Sequence, residues 1–200
     1  MSVGILAYGS LIEDPGVEIE PLIQKRINNI ITPFKIEFAR SSSTRGGAPT
    51  VVPVVEGGST VSATILVLNE EITIENAQDL LWRRETRKEG SGKHYVHPKT
   101  YSPNKMVVEQ IVGFSGLETV LYTKLPGNID DLCATKLATL AINSAKSSDV
   151  DIDKDGISYL IDIKKQGITT PLIDEYEKEV LKSLNVGSLN EALDVCRGKK

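Results

Sequence analysis

Between Leu125 and Asp130 the apolar pattern of this chain changes period, and that change limits the folds open to it. Before it, apolar and β-branched residues come in short runs bounded by Gly, Pro and Ser: Val3 to Ala7, Phe34 to Ala39, Val51 to Val55, Thr60 to Leu68, Met106 to Phe114 and Thr119 to Leu125. Runs of that length and composition predict strands. After it, Asp130 to Ala145, Ile157 to Lys165, Leu172 to Leu184 and Leu189 to Cys196 have helical spacing, punctuated by Gly167 and Pro171. The pattern predicts an α+β fold: a small curled mixed β-sheet or barrel with flanking helices and a helical C-terminal segment. The expected division is a core over residues 1–125, a helical segment over 126–196 packed on it, and a disordered tail over 197–200.

Two helices are expected within the strand-rich part. Pro21 to Ile31 has helical spacing at Leu22, Ile23, Ile27 and Ile30, closed by Pro33. Glu75 to Lys88 is free of Gly and Pro and acidic in its first turn. The Gly57-Gly58 turn predicts that Val51 to Val55 and Thr60 to Leu68 are the arms of one hairpin, neighbours in one sheet. Glu89 to Lys93 reads as a flexible break.

Charge and cysteine usage narrow the function classes. With 27 acidic and 23 basic residues the net charge is −4, which gives no electrostatic case for nucleic acid or an anionic membrane and favours a small-molecule partner. No apolar run approaches the roughly 20 residues of a membrane span. Cys133 and Cys196 lack Cys-x-x-Cys or metal spacing, so the expected compartment is the cytoplasm.

The first chemical feature is Tyr8-Gly9-Ser10-Leu11, where the first strand stops at a glycine. Unpaired N–H groups at such a tip can form an anion-binding nest, although Gly and Ser also end strands for conformational reasons alone. The second is Glu85. At about 100° per residue it falls between Leu81 and Trp82 on the apolar side of its helix, where a carboxylate needs a partner or a raised pKa. Either suits a general base; the plainer alternative is an ion pair with Arg84, Lys88 or Lys93.

Other motifs carry less. Asp151, Asp153, Asp155, Gly156 and Asp162 follow EF-hand spacing, but position eight is Ser158, position twelve is Asp and no second hand exists. The competing reading is an acidic turn in which Asp153 or Asp155 caps the next helix. His94 and His97 stand three apart with no third ligand suggested. Phosphate-cradling and dinucleotide-binding glycine motifs are absent.

In order, these pieces resemble the γ-glutamylcyclotransferase-like superfamily. Ala7 to Leu11 is similar to its Tyr-Gly-Ser substrate loop, Ser42 to Thr50 to its Ser/Arg/Gly-rich stretch, Glu85 to its catalytic glutamate, and Tyr95 and Tyr122 to tyrosines that follow. Trp82 stands where many members carry aspartate, and the segment from Glu85 to Tyr95 is longer and more basic. The resemblance implies a cofactor-free enzyme, with no metal, that cyclises a γ-glutamyl amine or peptide to 5-oxoproline and releases the amine. It implies Glu85 as general acid/base, with Tyr8, Gly9, Ser10, Leu11, Arg45, Tyr95 and Tyr122 binding substrate. The loop from Ser41 to Pro49 is expected to be mobile when the site is empty and to close with Arg45 over a carboxylate, the alternative being a solvated hairpin tip whose Arg45 touches nothing. Two rivals remain: a non-catalytic small-molecule binding or regulatory protein of the same fold, and a calcium-responsive module built on Asp151 to Asp162.

Overall fold

The computed structural model describes residues 2–100, 102 and 105–198. The chain divides into two compact units, Met1–Pro33 with Ser62–Leu125, and Phe34–Val61 with Pro126–Lys200. The segment 34–61 therefore groups with the C-terminal helices rather than with the strands on either side of it.

The first unit is an open five-stranded mixed sheet. Its strands are β1 (Val3–Ala7), β2 (Ile23–Ile31), β5 (Ser62–Leu68), β6 (Val107–Phe114) and β7 (Leu117–Lys124), in the order β2-β5-β1-β7-β6. Central β1 runs antiparallel to β5, with Ala7 opposite Thr64, and parallel to β7, with Ile5 opposite Leu121. All five residues of β1 are buried, as an apolar run without alternation requires. Gly4 leaves the room this needs, because a Cβ there would meet Ile65 and Leu117 side-chain carbons at 2.7 Å. The sheet has free edges at β2 and β6, so the barrel alternative is corrected to an open sheet.

Helix α2 (Ile74–Glu85) seats on one face of this sheet. The Thr73 hydroxyl accepts the Asn76 N–H at its start. Ala77, Leu80 and Leu81 pack with Val3, Ile5 and Ala7 of β1, Leu66 and Leu68 of β5, Val108 and Leu121. The residues contributed by each strand alternate, as pleating dictates.

Two expectations are overturned here. Residues 23–31 form β2, not a helix, preceded only by a 3-10 turn over Glu20–Leu22. The register of β2 against β5 slips between Ile23 and Lys25 and again between Ile27 and Ile30, where Asn29 has φ 59°. Bulges insert residues into the two-residue alternation, so Ile23, Ile27 and Ile30 acquire spacings of four and three that imitate a helix. The expected hairpin is also absent. Val51 to Val54 lies in β4 (Ala48–Val54), which pairs with β3 (Lys35–Ser42) as a separate two-stranded sheet, while β5 joins the larger one.

The second unit combines the β3–β4 hairpin with α3 (Ala134–Lys146), α4 (Gly156–Lys165), α5 (Ile173–Leu184) and α6 (Leu189–Cys196). Phe38 meets Tyr176 edge-on at 5.3 Å and Tyr159 at 6.3 Å between ring centres. Asp155 starts α4: its Oδ1 accepts the N–H groups of Ile157 and Ser158 at 2.9 Å, and its Oδ2 accepts the Ser158 hydroxyl and an Arg197 N–H, both at 2.8 Å. Arg197 is thus an anchored residue and not part of a loose tail; Lys199 and Lys200 lie outside the described residues.

Burial pushes the Asp155 carboxyl up, but the Ser158 N–H, Arg197 and the Ser158 hydroxyl pull it down further, leaving it below the ordinary range. A depressed folded-state pKa contributes stability above the unfolded value, near pH 4, and loses it as the pH falls toward the folded value. Asp155→Ala is expected to cost about 2 kcal/mol at neutral pH through the lost cap and the stranded Arg197. Asp155→Asn should lose less and show a weaker fall in stability from pH 5 to pH 2, measured by urea denaturation at each pH.

Candidate functional site

The tip of β1 is built around Gly9. Its backbone has φ 64° and ψ −141°, a region essentially closed to L side chains, and it turns the chain from β1 into the single turn α1 (Ser10–Glu13). The Gly9 carbonyl accepts the Ile12 N–H at 3.1 Å and the Ser10 carbonyl accepts that of Asp14 at 3.0 Å. Leu11 is buried in the cluster beneath α2. The Tyr8 hydroxyl donates to the Thr123 carbonyl at 3.4 Å, tying the tip to the end of β7.

Glu85 is the last residue of α2, with its side chain 20% exposed. The Arg84 guanidinium donates one N–H to Glu85 Oε1 and another to the Asp14 carbonyl, just past α1. One arginine therefore joins the carboxylate to the chain segment that leaves the tip. The Arg84 pairing foreseen as the plainer alternative is present, while Lys88 lies with its ammonium 4.3 Å from the centre of the Trp82 ring.

Arg83 makes a second link on the adjacent side of α2. Its Nε donates to Glu18 at 2.8 Å and its Nη1 to the Lys93 carbonyl at 2.9 Å. Glu18 also accepts the Gly90 N–H at 3.2 Å, and Glu89 accepts the Glu18 N–H at 3.3 Å. Arg83 chiefly, against the smaller effect of burial, holds the Glu18 carboxyl below its ordinary range. The segment read as a flexible break is bonded reciprocally to Glu18, an arrangement between distant residues that local glycine content conceals. Gly16, at φ 92°, is part of this seam, since a Cβ there would meet Arg84 Cγ at 2.8 Å.

Tyr95 packs against the cluster that contains Leu11 and Leu81. Its hydroxyl oxygen accepts the Val108 N–H at 3.0 Å. Burial raises the phenol pKa, the Val108 bond opposes this, and Glu109 adds to it, so the group stays protonated. Its backbone N–H donates to Asp79 Oδ1 at 2.6 Å, and Asp79 Oδ2 pairs with His94 Nδ1, also at 2.6 Å. Asp79 escaped sequence reading because its partners lie 15 and 16 residues downstream, beyond any helical spacing. Tyr122 sits in β7 opposite Glu109. It alternates with Leu121, which faces α2, so it belongs to the other face of the sheet.

Arg45 belongs to the second unit. It lies in the turn of the β3–β4 hairpin, stacked 4.8 Å from the Tyr159 ring centre, with Nη1 donating to the Lys154 carbonyl at 3.2 Å. Its own carbonyl accepts the Ser144 hydroxyl at 2.6 Å. The stretch read as a lid forms a 3-10 turn over Ser43–Arg45 between two paired strands. The anchoring comes from helices more than 90 residues away, which the polar composition of the loop does not reveal.

The Asp151 to Asp162 stretch is not an EF-hand loop. Helix α4 starts at its sixth position, so Asp162 stands in the second turn of the helix. Asp151 pairs with Lys154, Asp153 and Asp155 with Arg197, and Asp162 with Lys165. Among the described residues no group of three or more His, Cys, Asp or Glu side chains is placed to hold a metal ion. His94 and His97 point to Asp79 and to the Pro98 carbonyl respectively. Among the described residues, no helix is long and apolar enough to cross a membrane.

Comparison of the chain with protein-family models and with curated proteins finds no match.

Gly9→Ala should lower stability by about 2 kcal/mol, the order of cost of holding an L residue in that backbone region. Gly47→Ala, at φ 82° with open space beside it except for Ser41 Oγ at 3.6 Å, provides the control for positive φ alone. If the tip binds ligand, the Gly9 variant loses affinity for a γ-glutamyl compound in calorimetry and the Gly47 variant keeps it.

Proposed function

We propose that this chain is a γ-glutamylcyclotransferase-like enzyme that converts a γ-glutamyl amine or peptide to 5-oxoproline and the free amine. The observation that carries the reading is the link through Arg84 between Glu85 and the segment leaving the Tyr8-Gly9-Ser10 tip. A carboxylate with a fixed side-chain orientation and a glycine-based tip are held in one unit by one guanidinium.

A γ-glutamyl compound carries its own nucleophile, so the protein need not supply one. The α-amine attacks the γ-carbonyl, a C–N bond closes the five-membered lactam, and the original amide C–N bond breaks. On becoming the lactam N–H the α-ammonium loses two protons: Glu85 takes one and returns it to the departing amine, and the other leaves with that amine as its ammonium, so the carboxylate ends as it began. Holding the glutamyl chain folded is the larger task, since effective-molarity gains in tethered reactions reach about 7–11 kcal/mol. Backbone N–H groups at the tip fix the α-carboxylate at one end of that geometry. Tyr95, protonated and on the α2 side of the sheet, serves as the donor to the developing oxyanion. The face it occupies favours it over Tyr122 for that role.

A second reading, a non-catalytic binding or regulatory protein of the same architecture, is favoured by one observation: the Glu85 carboxylate is already engaged by Arg84. A panel of γ-glutamyl amines and peptides scored for 5-oxoproline separates the two. Turnover by the parent, falling about 10³-fold in a folded Glu85→Gln variant, supports the enzyme. Binding without 5-oxoproline supports the second reading, and undiminished turnover by Glu85→Gln removes Glu85 from the chemistry.

A further inference from the structure

Asp79 is a charged side chain only 9% exposed whose two oxygens are spent on consecutive residues of the segment after α2. A carboxylate that crosses from a helix to grip a backbone N–H fixes the position of that backbone, here at Tyr95. The far end of the same tyrosine is fixed by the Val108 N–H of edge strand β6, which donates to the phenol oxygen. Tyr95 is thereby held at both ends, and among the described residues no hydrogen bond takes its own O–H proton. We propose that Asp79 is a positioning residue that sets the Tyr95 phenol as a fixed hydrogen-bond donor for the reaction centred on Glu85. The role assigned to Tyr95 rests on the cyclotransferase reading; the grip of Asp79 on Tyr95 does not.

The side-chain chemistry fits a positioning role better than general adhesion. Burial alone would push the Asp79 carboxyl up, yet the Tyr95 N–H and His94 bring it below its ordinary range, helped by the charges of His94 and Arg83. An ionised carboxylate accepts only, so His94 carries its proton on Nδ1 and adds a second bond to the same anchor. The imidazole itself is 82% exposed, so the pair buries little surface and chiefly orders the backbone. Around the phenol, Glu109 is the charged group that opposes ionisation. The His97 ring stands edge-on to that of Tyr95, 6.2 Å away between ring centres.

The test uses the full chain and the variants Asp79→Asn, Tyr95→Phe and the double variant. The first readout is the ultraviolet titration of tyrosine ionisation, with the Tyr95 step identified by its loss in Tyr95→Phe. In Asp79→Asn this step is expected to move down toward the ordinary tyrosine value, because the ring loses its buried seat. The second readout is 5-oxoproline release. Asp79→Asn is expected to lower kcat about tenfold with KM nearly unchanged, and to add no further loss on top of Tyr95→Phe. A Tyr95 titration in Asp79→Asn identical to the parent overturns the proposal whatever the activity. Additive losses in the double variant overturn it as well, since Asp79 then acts other than through Tyr95. A parent chain without turnover overturns the cyclotransferase reading, and the titration alone then decides whether Asp79 sets Tyr95. Should Asp79→Asn fail to fold, His94→Ala, which removes only the second bond, is titrated in its place under the same criterion.

Discussion

Helix α2 has one buried stripe, Ala77, Leu80 and Leu81, and its seating against Val3, Ile5 and Ala7 of β1 fixes where every polar residue at its C-terminal end can reach. Burying side chains of this kind contributes about 1.5–3 kcal/mol for each large one, which outweighs anything the exposed ion pairs supply. Once the stripe is docked, rotation of the helix is no longer free. Asp79 and Arg83 then reach the segment 93–95 and Glu18, and Arg84 reaches Glu85 and the Asp14 carbonyl.

The polar seams at that helix end share a design. Each joins a side chain of α2 to backbone groups of a segment without regular structure: Arg83 to the Lys93 carbonyl, Arg84 to the Asp14 carbonyl, Asp79 to the Tyr95 N–H. Bonds from charged groups to backbone are stronger than neutral ones and order chain that has no ladder partner. The Arg83 and Asp79 bonds hold the chain just after Gly90 and Gly92, both at positive φ.

The second unit solves a different problem with the same means. Asp155 and Glu37 are both buried carboxylates, 3% and 1% exposed, but their neighbours differ. Asp155 faces a guanidinium, two N–H groups and a hydroxyl and is held below its ordinary range. Glu37 has the N–H groups of Phe38 and Leu172 at its oxygens, and burial keeps its carboxyl above the ordinary range. Desolvation wins where no cation answers it.

The sequence alone determined the elements whose physics is local. β1, β5, β6 and β7 follow from β-branched runs, and α2 to α6 from apolar spacing and capping residues; that Asp153 or Asp155 caps α4 was legible, and the structure selects Asp155. Gly9 was legible as a break because a glycine ends an apolar run there, and Glu85 as inward-leaning because helical angle is a property of sequence. What depends on pairing was not legible. Bulges gave β2 a helical spacing, the partner of β4 proved to be β3, and Arg45 found Tyr159 across more than a hundred residues. Asp79 likewise acquires its meaning only when α2 is seated and Tyr95 is brought beside it. Periodicity records which side of an element is apolar; which element it meets, and which polar groups are then left facing one another, is decided by the three-dimensional packing of all of them at once.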